Sequence, residues 1–268
     1  MENELLSRVI IAFQGDFACT LEIWDVETCT CVKTINTIFI CLYEHIAYSA
    51  DGEKVMVVGL SHSVPGPFSY YRWLVIIFDV KTDKPLTWLE VDTDYIAVLP
   101  DGSQIATINK QEIKIMNVGT RSINRQIILY NDIDETPGIV WSPNGQFLAF
   151  ASKKQNRIGI YISSLTGTSG SAQFRTSLTI ESSNRDIFGL TCSPDSSRVV
   201  AAIYDSWEKK MMLYIYCTWS GALIGTTSSE SDIGGASATP SFAANGEDIL
   251  FCAYNPSCPR ILYFTASV

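Results

Sequence analysis

The chain has 268 residues, 47% of them apolar, and a formal net charge of −9. That length suits a single all-β domain over residues 1–268, and the negative charge disfavours phosphate backbones and anionic lipid, so neither nucleic acid nor membrane is expected as a partner. No run approaches the ~20 apolar residues of a membrane helix, and Met1-Glu2-Asn3-Glu4 is unlike the start of a secretory leader, which makes an intracellular, cytoplasmic location the expectation.

Taken in order, Arg8–Phe13, Leu21–Val26 and Cys31–Ile35 read as three apolar strands. A short phrase then begins to recur: an apolar strand ending in a small residue or proline, then Asp or Asn, usually Gly, and a second apolar strand. It runs Ile46-Ala47-Tyr48-Ser49-Ala50-Asp51-Gly52, Ile96-Ala97-Val98-Leu99-Pro100-Asp101-Gly102 and Ile139-Val140-Trp141-Ser142-Pro143-Asn144-Gly145. Two further copies are Leu190-Thr191-Cys192-Ser193-Pro194-Asp195-Ser196 and Pro240-Ser241-Phe242-Ala243-Ala244-Asn245-Gly246. The acidic or amide positions 51, 101, 144, 195 and 245 are separated by 43 to 51 residues, the period of one four-stranded unit. Asp-Gly and Asn-Gly supply the positive φ of a two-residue hairpin, so each phrase is expected to join two buried strands.

A second echo follows each phrase. Leu21-Glu22-Ile23-Trp24-Asp25-Val26-Glu27-Thr28 aligns with Val75-Ile76-Ile77-Phe78-Asp79-Val80-Lys81-Thr82 and with Ile113-Lys114-Ile115-Met116-Asn117-Val118-Gly119-Thr120. Looser copies are Ile158–Tyr161, Leu213–Tyr216 and Ile261–Phe264. In these residues the sequence resembles the WD-repeat β-propeller family, whose third strand ends in Trp-Asp or an aromatic-Asp pair, although only Trp24-Asp25 is literal. The Gly-His pair that the family places before its first strand is absent from all five copies. Blade cohesion is therefore expected from apolar packing and sheet hydrogen bonds.

With strands lettered a to d outward from the axis, the sequence starts at a b strand and its last readable strand, Arg260–Thr265, is a c. The resemblance implies an all-β propeller of about six four-stranded antiparallel blades, either incomplete or unconventionally closed. Three explanations of the unmatched ends stay open: a missed strand such as Glu2–Leu6, an open ring stabilised by a partner, or a truncated C-terminal propeller of a larger multidomain scaffold.

The family geometry also sorts the loops. The d-to-a connections carry Asp92 and Asp94, then Asp132, Asp134 and Glu135, then Glu181 and Asp186, then Glu230 and Asp232, so the face they share with the b-to-c loops is expected to be acidic. The longest b-to-c insertion, Ser61–Trp73, brings Phe68, Tyr70, Tyr71 and Trp73, and a second brings Trp207. Exposed Tyr and Trp on loops become interface anchors. The expected role is a non-catalytic protein-interaction scaffold that takes a protein or peptide partner, a basic one fitting best. Trp24, Trp88 and Trp141 fall in strands and read as packing residues.

Reaction machinery is sparse. There is no nucleophile elbow, phosphate cradle or H-E-x-x-H, and only His45 and His62 offer an imidazole. The basic clusters Lys153-Lys154 with Arg157, and Lys209-Lys210, are too short for a nucleic-acid stripe. Cys41, Cys192, Cys217 and Cys252 read as small buried hydrophobes. No C-x-x-C spacing points to zinc, so no cofactor or metal is expected. The competing reading is a hydrolase or lactonase-like propeller with a divalent cation held by carboxylates such as Asp92, Asp94, Asp132 and Asp134.

Overall fold

The computed structural model describes residues 8–265 except 15–18, 26–27, 38–41, 50–52, 63–70, 92–94, 110–111, 130–134, 155–156, 166–173, 182–183, 229–239, 243–245 and 254–259. The described residues form antiparallel sheets joined by turns, in sequence order. Blade 1 has β1 (Arg8–Gln14), β2 (Cys19–Asp25) and β3 (Thr30–Thr37). Blade 2 has β4 (Leu42–Tyr48), β5 (Lys54–His62), β6 (Tyr71–Asp79) and β7 (Pro85–Val91). Blade 3 has β8 (Ile96–Val98), β9 (Gln104–Ile108), β10 (Glu112–Asn117) and β11 (Ile123–Ile128). Blade 4 has β12 (Glu135–Trp141), β13 (Phe147–Lys154), β14 (Arg157–Ser164) and β15 (Phe174–Glu181). Blade 5 has β16 (Arg185–Cys192), β17 (Arg198–Asp205), β18 (Lys210–Cys217) and β19 (Leu223–Ser228). Blade 6 has β20 (Ser241–Phe242), β21 (Asp248–Ala253) and β22 (Arg260–Thr265). Strand order within every sheet follows the sequence. Among the described residues, the b, c and d strands of blade 1 and the a, b and c strands of blade 6 match the reading of the sequence, whereas Glu2–Leu6 lies outside them.

Two compact units emerge: residues 1–107 with 115–124, and residues 108–114 with 125–268. In the first, the near-continuous apolar run of β5 serves two cores by simple alternation. Val55 and Val57 pack with Leu21, Ile23, Ile35, Ile76 and Phe78, between blades 1 and 2. Met56 and Val58 turn the other way, onto Val75, Ile77, Ile96, Ile105 and Val118, between blades 2 and 3. In the second unit β17 repeats the device. Val199, Ala201 and Ile203 join the core with blade 4, and Val200 and Ala202 the core with blade 6. Each such valine or isoleucine contributes about 1.5–3 kcal/mol relative to exposure, so the b strands hold most of the packing.

The recurring phrase makes a longer turn than the two-residue hairpin expected. In blade 4 the Gly145 amide donates to Ser142 O (2.9 Å) and the Ser142 amide to Phe147 O (2.9 Å), leaving four residues in the connection. The positive φ is where the sequence placed it, at Gly102 (72°), Gly145 (71°) and Gly246 (69°), and Ser196 adopts it without a glycine (63°). The serine of the phrase is structural. The Lys54, Phe147 and Arg198 amides donate to the buried hydroxyls of Ser49, Ser142 and Ser193, all at 2.9 Å. The hydroxyls of Ser142 and Ser193 in turn reach Asn144 Oδ1 (2.8 Å) and Asp195 Oδ1 (2.5 Å). The Ser193 hydroxyl foremost, then the Ser197 hydroxyl (2.7 Å) and amide (3.0 Å), hold the Asp195 carboxyl down to about 2.

The second echo also has a mechanical explanation. The Asp25, Asp79 and Asn117 side chains accept both the amide and the hydroxyl of Thr28, Thr82 and Thr120, at 2.6–3.1 Å, and so close each c–d turn. Blade 5 places Cys217 there. Its thiol is half-exposed rather than buried as expected, and hydrogen bonds from Ser220 hold it below the ordinary thiol range. Cys192 is buried, and desolvation pushes its thiol up to about 12. In blades 1, 2, 3 and 5 one residue of the c–d turn takes a left-handed conformation: Cys29 (52°), Asp83 (60°), Arg121 (57°) and Gly221 (71°). Polar bonds between blades supplement the packing. The Lys33 ammonium reaches Val80 O, Lys81 O (3.1 Å) and Asp83 Oδ1 (2.7 Å). The Asn144 amide donates to Ser196 Oγ (3.0 Å) and Arg198 Nη2 to Gly246 O (2.5 Å).

Candidate interaction surface

The b–c turn of blade 5 is over-determined by a single carboxylate. Asp205, 6% exposed, accepts the amides of Trp207 and Glu208 on Oδ1 (3.0 Å each) and Arg185 Nε on Oδ2 (2.9 Å). The Ser206 amide and hydroxyl both donate to Asn184 O (2.9 Å), which ties the turn to the residue just ahead of β16. Lys209 completes the reversal at φ 54°. Trp207 stands at the apex with 81% of its surface exposed. A rigid turn presenting a nearly bare indole has already met the ordering cost that binding normally imposes on a flexible loop.

The charges around Trp207 are mixed and largely paired. Asp186, one of the acids assigned to this face, bonds to Lys153 Nζ at 2.5 Å, and Asp205 is held by Arg185. The hydrogen bond to Asp205 raises the Arg185 pKa, and the Glu208 amide and Arg185 lower that of Asp205. Lys209 and Glu208 are exposed beside the indole.

The remaining sequence-predicted positions divide clearly. Phe68, Tyr70, Asp92, Asp94, Asp132 and Asp134 lie outside the described residues. The 61–73 insertion is shorter than the sequence implied, because β5 runs to His62 and pairs with Tyr71 at the start of β6. Tyr71 and Trp73 are therefore strand residues, and Trp73 is partly buried against the core between blades 2 and 3. Of the strand tryptophans, Trp141 is buried with its indole N–H directed at Gly145 O (3.3 Å). Trp24 is half-buried and donates to Glu22 (2.8 Å). Trp88 departs from expectation: it is 51% exposed on the outer strand β7, with the Arg121 guanidinium 5.2 Å from its ring centre. Among the described residues, no group of three or more His, Cys, Asp or Glu side chains converges as a metal site would require.

Sequence reasoning passed over Trp219, at the other end of β18 from Trp207. It is 62% exposed and meets Phe147 of blade 4 edge to face, with centroids 4.8 Å apart. Aligning the second echoes would have found it, since Glu27, Lys81 and Gly119 hold the same turn position. In the first unit, that position borders a cavity of about 480 Å³ between blades 1 and 2, lined by Ile23, Val32, Lys33, Asp79, Val80 and Lys81 among others.

Comparison with known proteins places the architecture. No family model matches the sequence, and no curated protein matches it significantly. Among solved structures, the Cps50 (Swd1) β-propeller domain of Myceliophteria thermophila is similar at a TM-score of 0.60 and 13% identity, over 97% of this chain and 93% of that one. Hydrazine synthase of Kuenenia stuttgartiensis is similar at a TM-score of 0.57 and 18% identity, over 78% of this chain and about half (55%) of that one. Among the described residues, no helix is long and apolar enough to cross a membrane. At such identities the likeness speaks for the fold alone: the molecule is an all-β protein built from antiparallel β-propeller blades.

Proposed function

We propose that the protein works as a non-catalytic protein-interaction scaffold, residues 1–268 acting as one domain, and that Trp207 anchors a protein or peptide partner. The observation that carries this reading is the pairing of an 81% exposed indole with a turn locked by a buried carboxylate. Leaving a large aromatic side chain in water on a loop that cannot fold away is costly for solubility, and Trp is the residue most enriched among interface hot spots. The net charge of −9 favours encounter with a basic partner, whose Lys or Arg can also lie over the indole face. Phe68, Tyr70 and Tyr71, with Asp92, Asp94, Asp132 and Asp134, extend the proposed surface on sequence grounds. Trp73 supports it from within the strand.

The test is quantitative affinity capture with wild-type protein and Trp207→Ala, each at low and moderate salt. A partner anchored here is depleted by roughly tenfold or more in the variant, the loss expected of a hot-spot tryptophan, and its recovery falls as salt rises. Equal recovery on both baits, with unchanged melting temperatures, overturns the assignment.

A further inference from the structure

Asn144-Gly145 sets an asparagine before a glycine in the a–b turn of blade 4, the pairing in which an asparagine side chain is chemically least durable. With no Cβ on the glycine to hinder it, the glycine nitrogen can attack the side-chain carboxamide. Asn245-Gly246 is the other such pair in the sequence, and Asn245 lies outside the described residues.

At Asn144, which is exposed to water, the reacting groups are already engaged. The Gly145 N–H, whose proton must leave before its nitrogen can attack, donates to Ser142 O (2.9 Å). The carboxamide oxygen accepts from the Ser142 hydroxyl (2.8 Å) and the Gln146 amide (3.0 Å). The Asn144 amide donates to Ser196 Oγ of blade 5 (3.0 Å), and the Trp141 indole N–H to Gly145 O (3.3 Å). Ring closure consumes the first of these bonds outright, and a carboxamide held at its oxygen from two sides cannot turn to meet the nitrogen without loosening the others.

The two products of such a reaction differ in fit. Asp195 fills the same position in blade 5, and its Oδ1 accepts from the Ser193 hydroxyl (2.5 Å) and the Ser197 amide (3.0 Å), the same pair of bonds. An aspartyl residue therefore keeps the turn. An isoaspartyl link adds a methylene to the main chain between the Asn144 and Gly145 amides, and their bonds to Ser196 Oγ and Ser142 O lose the spacing they share.

We infer that Asn144 is a deamidation site which the folded a–b turn of blade 4 suppresses and the opening of that turn releases. The Gly145 nitrogen attacks Asn144 Cγ, its proton departs with the side-chain nitrogen as ammonia, and water opens the succinimide at either carbonyl to an aspartyl or an isoaspartyl link. Opening of the turn thus leaves a covalent mark, silent in the aspartyl product and damaging in the isoaspartyl one.

The test is site-resolved mass spectrometry of the full-length protein aged at neutral pH, beside a capped peptide of residues 142–146. Native Asn144 should deamidate more slowly than the peptide by about tenfold or more, the factor that loosening two turn hydrogen bonds implies. Ser142→Ala, folded by its melting transition, removes one restraint on the carboxamide and should speed the reaction by about threefold. Equal rates in protein and peptide overturn the inference. So does an unchanged or slower Ser142→Ala protein, since the hydroxyl would then be idle or would be polarising the carbonyl for attack. Asn144→Asp should melt within about 2 °C of wild type, and the isoaspartyl fraction of protein aged in urea and refolded should lose hydrogen-exchange protection at the Gly145 amide. A larger drop for Asn144→Asp, or full protection in the isoaspartyl fraction, overturns the assignment of a silent and a damaging product.

Discussion

Replacing Asp205 by alanine removes three acceptor bonds at once, and the structure says how much each contributes. The Trp207 and Glu208 amides sit in an exposed turn where water takes over from the carboxylate, so each loses about 0.5–1 kcal/mol. Arg185 is the third donor. Its side chain is 31% exposed, so it recovers hydration, and the loss falls to about 1 kcal/mol rather than the several kcal/mol of a fully buried broken pair. The total is about 2–3 kcal/mol, a drop in melting temperature of roughly 4–12 °C. Asp205→Asn keeps an oxygen for the two amides but puts an NH2 donor where Oδ2 accepts from Arg185, so it should cost about the Arg185 share, about 1 kcal/mol. The assay is urea unfolding of the three proteins, with hydrogen exchange at the Trp207 and Glu208 amides as a local reading. Because hydrogen bonds from the Glu208 amide and then Arg185 lower the Asp205 pKa in the folded state below its ordinary 3.8, its stabilisation is complete above that ordinary value. The charge-dependent part is lost as pH falls through the depressed folded value. The gap between wild type and Asp205→Ala should therefore be flat from pH 5 to 7 and narrow below about pH 4, toward the part that a neutral acceptor retains. An alanine cost under about 0.5 kcal/mol, or an asparagine variant no better than alanine, refutes the idea that this carboxylate builds the turn.

Tyr216→Phe should stabilise the protein by about 1 kcal/mol, because the Tyr216 hydroxyl is buried with no hydrogen-bond partner among the described residues and its desolvation is uncompensated. A loss of stability in differential scanning calorimetry counts against that reading. Cys29→Gly should also stabilise, by about 0.5–1 kcal/mol, since a non-glycine left-handed residue costs about 1–2 kcal/mol and glycine gives back about 0.5–1 in backbone entropy. Gly221 at the same position of blade 5 is the internal precedent, and an unfolding midpoint that fails to rise would show that the exposed Cys29 makes contacts worth more than its strain.

Much of the architecture was legible because turn chemistry is local. The phrases around Asp101, Asn144 and Asp195 mark a–b turns, and the echoes around Asp25, Asp79 and Asn117 mark c–d turns capped by the threonine three residues on. What escaped was set by partners distant in sequence. The left-handed turn position hid behind Cys29, Asp83 and Arg121, which carry no glycine signal. The insertion after β5 looked like a loop because its aromatic residues are as apt in a strand, and only pairing with His62 places Tyr71 in β6. Trp88 read as a packing residue because it falls in a strand, yet β7 is an outer strand, where the indole is half exposed and meets Arg121. The candidate surface was half visible: Trp207 could be named from a loop aromatic, but not the Asp205 contacts that make it rigid.

The c–d turn has a consequence for how this protein can change. Its reversal is held by backbone bonds and by the group at its first position, so the residue held in turn by Lys81, Gly119 and Trp219 does nothing to form it. Such a position is free to drift, and a bulky, charged or absent substituent can be exchanged there without re-solving the fold. In blades 2, 3 and 5 it offers a grafting point, where recognition can be rewritten one residue at a time while the scaffold beneath stays the same.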